Sequence, residues 1–251
     1  MSAKVFLLPC IFGDEPSFAN FRAALAGRVD FELLDYPDID RPSSEIRDFD
    51  IILKRTVERI RSLHPAGDVH IAGYSFGGLV GFAAACRLQA EGRRIGLLAL
   101  LDTPALGLKM PSSGSRDAAP GAWGAVADIT TRVLIAAGFA ESVRKAINPA
   151  RHVFGAGAAK GLRRLFLQNL RGRSLNGVSL GRFDGTLLLF RAEEQPGPDL
   201  PADLGWSAHC TTARSVALDG DHNSMLGTDH LAANAERIWS ELALRIGQSE
   251  G

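Results

Sequence analysis

The stretch DVHIAGYSFGGLVGFAAACRLQA, residues 68–90, decides how the chain is read. The short apolar run VHIA ends at Gly73, Ser75 sits between Tyr74 and Phe76, and Gly77 and Gly78 open a second run of small and apolar residues. A strand that turns into a helix through G-x-S-x-G holds its serine on a strained corner, hydroxyl outward, at the carboxyl edge of a sheet. Side chains at the outer glycine positions would crowd the neighbouring backbone. The competing reading is a tight glycine turn that happens to contain a serine. The flanks and the rest of the chain favour the first.

Outward from that corner, apolar runs recur at KVFLLP (4–9), FELLDYP (31–37), IGLLALLD (95–102), GTLLLFRA (185–192) and ARSVALDG (213–220). Several are apolar at consecutive positions, the pattern of strands covered on both faces. Between them lie segments suited to crossover helices. Over 44–63, Ile46, Phe49, Leu53, Val57, Ile60 and Leu63 recur three or four apart, with Ser43 or Ser44 placed to cap the start. Residues 229–246 repeat the pattern through Leu231, Ile238, Leu242 and Ile246. Such alternation predicts an α/β fold: a mostly parallel sheet, helices on both faces, and a site at the carboxyl ends of the strands. The interval 103–183 breaks the rhythm, opening on the turn-rich KMPSSGSRDAAPGAWG and continuing in short helical pieces such as 158–171. It reads as a helical lid inserted into one domain of residues 1–251.

Bulk properties fit a packed enzyme-sized domain. The chain has 251 residues, 46% hydrophobic and 22% charged, with zero formal net charge, so no global field recruits nucleic acid or a membrane. Cys10, Cys86 and Cys210 form no C-x-x-C pair, which argues against a disulfide framework or a zinc site and fits a reducing cytoplasm. The N-terminal apolar run is too short to span a bilayer.

A serine nucleophile needs a base, itself oriented by an acid. His222, in LDGDHNSML after the last strand, is the histidine whose loop can reach back over Ser75. His64, His70, His152, His209 and His230 fall on helix ends, inside or ahead of strands, or in the insertion. The acid has four candidates: Asp102 closing the strand after the elbow, Glu193 and Glu194 after the next strand, and Asp221. Asp221 is badly placed to orient the ring of its own neighbour. The order serine, acid, histidine is that of α/β-hydrolases. Oxyanion donors are expected from the N–H of Phe76, at the start of the helix, and from LPCIFGDE after the first strand, where Ile11 is better placed than Phe12.

Taken together, LPCIFGDEPSFANFRAAL, GYSFGGLVGFAAA, LLALLDTP, LLLFRAEEQ, LGWSAH and GDHNSML resemble the thioesterase domains that end nonribosomal peptide and polyketide synthases, over nearly the whole chain. The resemblance implies an α/β-hydrolase fold and a triad of Ser75, Asp102 and His222. It also implies a substrate carried as a thioester on the phosphopantetheine arm of an acyl or peptidyl carrier protein, and neither metal nor tightly bound cofactor. In that family the acid commonly follows the strand after the elbow, which favours Asp102; stand-alone editing thioesterases usually place it one strand later. Editing enzymes, a general carboxylesterase and a non-catalytic receptor of the same fold are the alternatives. Between Ile129 and Phe183 lie ten Lys and Arg, Arg163 and Arg164 among them, against one acid, Glu141. Arg163 and Arg164 are therefore the expected contact for an acidic carrier protein.

Overall fold

The computed structural model describes residues 4–108, 130–197 and 199–246; the turn-rich stretch 109–124 lies outside them. The chain forms two units. The first comprises residues 1–35, 53–111 and 179–251, and the second residues 36–52 and 112–178.

The first unit is a six-stranded, wholly parallel sheet in the order β2-β1-β3-β4-β5-β6. Its strands are β1 (Lys4–Leu8), β2 (Asp30–Leu33), β3 (Val69–Tyr74), β4 (Ile95–Leu101), β5 (Phe183–Glu194) and β6 (Cys210–Asp221). The predicted runs all become strands. β3 is buried at every residue and β4 from Leu97 onward, whereas β2 and β6, with a neighbour on one side only, carry exposed residues. Consecutive apolar positions thus mark the central strands, because helices cover both of their faces.

On one face α1 (Pro16–Ala24) supplies Phe18 and Phe21, and α6 (Thr228–Ile246) supplies Ala235, Ile238 and Leu242, to a core with Val5, Leu7, Ala99, Leu188 and Phe190. On the other, α4 (Phe76–Ala90) lies so close that a Cβ on Gly81 would stand 3.1 Å from Ile71 and 3.4 Å from Leu8. Burial raises the Cys86 thiol of α4 to about 11 and also pushes Cys210 upward.

The segment expected to form one helix over 44–63 is two, α2 (Ser43–Ile46) and α3 (Phe49–Leu63). Asp48 is the reason: its carboxylate accepts the N–H of Ile51 at 3.1 Å and starts a new helix. Nor does Ser43 cap α2, since its hydroxyl and N–H both donate to Glu141.

In the second unit, Ile46 of α2 packs with Ile135, Ile147, Phe166, Leu167 and Leu170. Most of these belong to α5 (Ala140–Ser174), which is broken at Gly155 (φ 84°, ψ 169°) and therefore acts as two helices. Arg171 is fully buried, donates to the carbonyl of Pro37 and lies 5.0 Å from the centre of the Tyr36 ring. Its guanidinium fastens residues 36–37 to α5, so a stretch that the sequence assigns to the main alternation belongs to this unit.

The glycines of the elbow are sterically fixed. A Cβ on Gly77 would stand 2.3 Å from the carbonyl oxygen of Pro9 and 2.4 Å from that of Leu8; one on Gly73 would stand 2.3 Å from the oxygen of Gly77. Both obstacles are backbone, so neither can swing aside. Gly77→Ala is expected to destabilise the first unit by about 3 kcal/mol, the upper end of core overpacking, because the obstructing atoms are backbone. In the second unit, Phe166→Ala should cost about 3–5 kcal/mol. Thermal unfolding of the two variants beside Lys54→Ala, at an exposed site, checks both.

Candidate active site

Ser75 stands between β3 and α4 with φ 57° and ψ −119°, a backbone conformation that a non-glycine residue adopts only where its surroundings enforce it. The enforcement is visible. Its N–H donates to the carbonyl of Leu101 at 3.0 Å, its carbonyl accepts from the Gly78 N–H at 2.9 Å, and the Thr103 hydroxyl bonds the same carbonyl at 3.1 Å. Thr103 also occupies the space a side chain on Gly78 would need, its Oγ1 lying 2.1 Å from that position. Elbow and β4 corner are thereby locked together.

Asp102 forms that corner, with φ 39° and its side chain almost wholly buried. A buried carboxylate needs donors for its oxygens. Oδ1 accepts the Ala192 N–H and the Gln195 amide, both at 2.9 Å, and Oδ2 lies 2.7 Å from His222 Nδ1. Burial pushes this carboxyl upward, but the His222 hydrogen bond and charge, the Ala192 N–H and the Gln195 amide outweigh it and hold it below the ordinary aspartate range. Asp102 is therefore an anion in the native state at neutral pH.

His222 completes the chain, its Nε2 3.0 Å from Ser75 Oγ. With Nδ1–H directed at Asp102, Nε2 is left as the acceptor facing the serine hydroxyl, the tautomer a general base requires. The loop that carries it is held at several points. Asn234 of α6, fully buried, accepts the Asp219 N–H and donates to the carbonyls of Asp219 and Met225, bracketing the histidine. Gly220, at φ 89°, has no room for a side chain against His230 and Ser224. Tyr74 donates its hydroxyl to the His222 carbonyl and stacks on the imidazole, ring centres 5.2 Å apart.

The structure thus brings Ser75, His222 and Asp102 together and separates them from the rival acids. Asp221 spends its carboxylate on the N–H groups of Asn223 and Ser224, at 2.9 and 2.8 Å, inside its own turn. Glu193 and Glu194 are exposed at the end of β5. Phe76 heads α4 immediately after the serine, and Ile11 lies in the turn closed by the Gly13 N–H and the Cys10 carbonyl at 3.0 Å. Gly77 of the elbow abuts Leu8 and Pro9, the residues immediately before that turn.

Of the two expected docking arginines, Arg163 has its guanidinium bound to both carboxylate oxygens of Asp38 inside the second unit. Arg164, its neighbour, is exposed. Gln195, Tyr74, Thr103 and Asn234 escaped the sequence reading. Asn234 alone left a signal, a polar residue on the apolar stripe of Leu231, Ala235, Ile238 and Leu242. Among the described residues no group of three or more His, Cys, Asp or Glu is placed to hold a metal ion, and no helix is long and apolar enough to cross a membrane.

Comparison with known proteins bears on the fold and the family. A segment of 49 residues, 20% of the chain, is 45% identical to Malpinin synthetase of Mortierella alpina, of which it spans only 1%. In fold the chain is similar to the thioesterase domain of NocB from the nocardicin cluster (TM-score 0.69, 18% identity, 97% of this chain and 95% of that one). It is similar also to the type II thioesterase BorB from the borrelidin biosynthetic cluster (TM-score 0.64, 17% identity, 98% and 93%). The thioesterase-domain family matches residues 3–242. With the parallel sheet and the serine elbow, that match settles the assignment: the chain belongs to the thioesterase-domain family, whose members are thioester hydrolases.

Proposed function

We propose that this protein releases an acyl chain, peptidyl or polyketide, from the phosphopantetheine thioester of a carrier protein through an acyl-Ser75 intermediate. The observation that carries the reading is the continuous hydrogen-bonded line from Ser75 Oγ through His222 to a buried, ionised Asp102. As the thioester binds, Ser75 Oγ attacks its carbonyl carbon and His222 Nε2 takes the hydroxyl proton. The Phe76 and Ile11 N–H groups steady the negative oxygen. The C–S bond breaks, the imidazolium returns its proton to the departing thiolate, and an ester on Ser75 remains. Water, deprotonated by His222, then attacks that ester and frees the acid and the serine; an amine or hydroxyl within the acyl chain would attack in the same way and give a ring. Every step uses side chains and backbone N–H groups of this protein together with water, so no cofactor beyond the carrier's own arm is invoked.

The acid at the end of β4 favours a chain-releasing domain over an editing enzyme, in which it usually follows the next strand. The second unit's exposed basic side chains, such as Lys145, Arg151, Arg164 and Arg173, suit an acidic carrier.

Ser75→Ala should abolish acyl-enzyme formation, and a fluorophosphonate should add mass to Ser75 in the parent; undiminished turnover in the variant removes the reading. Turnover of carrier-bound acyl groups, acyl-N-acetylcysteamine thioesters and p-nitrophenyl esters, followed by mass spectrometry, separates thioesterase from carboxylesterase. Asp102→Asn should lower kcat by about 10⁴-fold, as the wrong histidine tautomer does in other triads. It should also remove a pH effect on stability. Because the native carboxyl titrates below its unfolded value, its contribution is full above the ordinary aspartate range and is lost as pH falls through the native value. Acid unfolding curves of parent and variant report the difference.

Charge reversal at Arg164 and Arg173 should raise KM for a carrier-bound substrate several-fold at low salt and little at high salt, with acyl-N-acetylcysteamine turnover unchanged. Equal damage to both substrates would assign those residues to structure.

A further inference from the structure

The corner after β5 holds a second feature directed at the acid. Both hydrogens of the Gln195 side-chain amide are used: Nε2 donates to Asp102 Oδ1 at 2.9 Å and to the Ala192 carbonyl at 2.7 Å. A flipped amide would face its oxygen to two acceptors, so the network fixes which end points inward. The backbone supports this placement, since the Gln195 N–H bonds the Glu193 carbonyl at 3.1 Å and Ala192 gives its own N–H to the same Asp102 oxygen. One carboxylate oxygen is thus saturated by two neutral donors, one from β5 and one from the residue just after it, and the other is turned to His222.

We infer that Gln195 is a positioning residue: its amide clamps the Asp102 carboxylate in the rotamer that faces His222 and commits the acid of the triad to the end of β4. Electrostatics favours an amide here as much as geometry does. Gln195 stands at the corner where a next-strand acid would sit, within a hydrogen bond of Asp102. A carboxylate there would set two negative groups about 3 Å apart, and their repulsion would push the Asp102 carboxylate out of that rotamer. A neutral amide of the same length supplies the donor without the second charge. Among the described residues, Tyr74 from β3 stacks on the imidazole, and the Asp221 carboxylate at the end of β6 holds its own turn; Glu193 and Glu194 are exposed.

The inference rests on the Ser75 reading and is tested by variants that leave Ser75 in place. Gln195→Leu, similar in size but without a donor, should lower kcat about tenfold, as loss of a hydrogen bond to a charged group does, with KM within about twofold. Gln195→Glu should move the acid limb of kcat/KM upward by about one pH unit, because the added negative charge stabilises the protonated imidazole. The low-field imidazole N–H resonance of His222, followed by NMR against pH, should move in the same sense without any turnover. Parental kcat and an unmoved limb in both variants overturn the inference, as does loss of activity that only tracks thermal destabilisation. A parent that forms no acyl-Ser75 overturns the proposed function instead.

Discussion

The backbone of Gly77 passes within van der Waals contact of the carbonyls of Leu8 and Pro9, and most of the site's order follows from that approach. It fixes the start of α4 against the end of β1, which fixes the corner between β3 and α4, which in turn leaves Ser75 no relaxed backbone conformation. The same contact brings the turn after β1 beside the serine, so the nucleophile and one of its proposed oxyanion donors are placed by one steric fact. Thr103, seated where Gly78 has no side chain, then ties the acid's corner to the nucleophile's. A compact set of missing carbon atoms does what would otherwise need many specific contacts.

Electrostatics completes what sterics begins. Burying a carboxylate is unfavourable unless its oxygens are satisfied, and Asp102 has a donor for each direction: a backbone N–H and an amide on one oxygen, an imidazole on the other. The donors come from the end of β5, from Gln195 just after it and from the loop after β6, so three consecutive strand ends in the sheet meet at one anion. That arrangement depends on the strand order, which puts β4, β5 and β6 side by side with all carboxyl ends on one edge.

Much of this was legible in the sequence because it is local. Strand pattern, elbow, and the chemistry of a serine, an acid and a histidine in that order need only short windows. Choosing Asp102 over Glu193, Glu194 and Asp221 took the resemblance to a family, since spacing alone leaves four carboxylates open. The structure distinguishes them by partners: Asp221 is consumed by its own turn. What stayed hidden depends on distant meetings. Nothing near Gln195 announces that it will reach Asp102, and nothing near Arg163 announces Asp38. The split of the 44–63 helix was readable in principle, because Asp48 is a good capping residue. Its periodic apolar neighbours masked it.

The partial burial of Cys86 and the full burial of Cys210 have a consequence for the chemistry proposed. Each turnover would free a thiol-bearing arm beside the protein, and such arms, once oxidised, exchange with thiolates. Both of these sulfurs are held protonated well above neutral pH, Cys86 to about 11. A thiol held protonated is a poor partner for a mixed disulfide, so the proposed release of a thiol-bearing arm would leave these two positions little prone to capping.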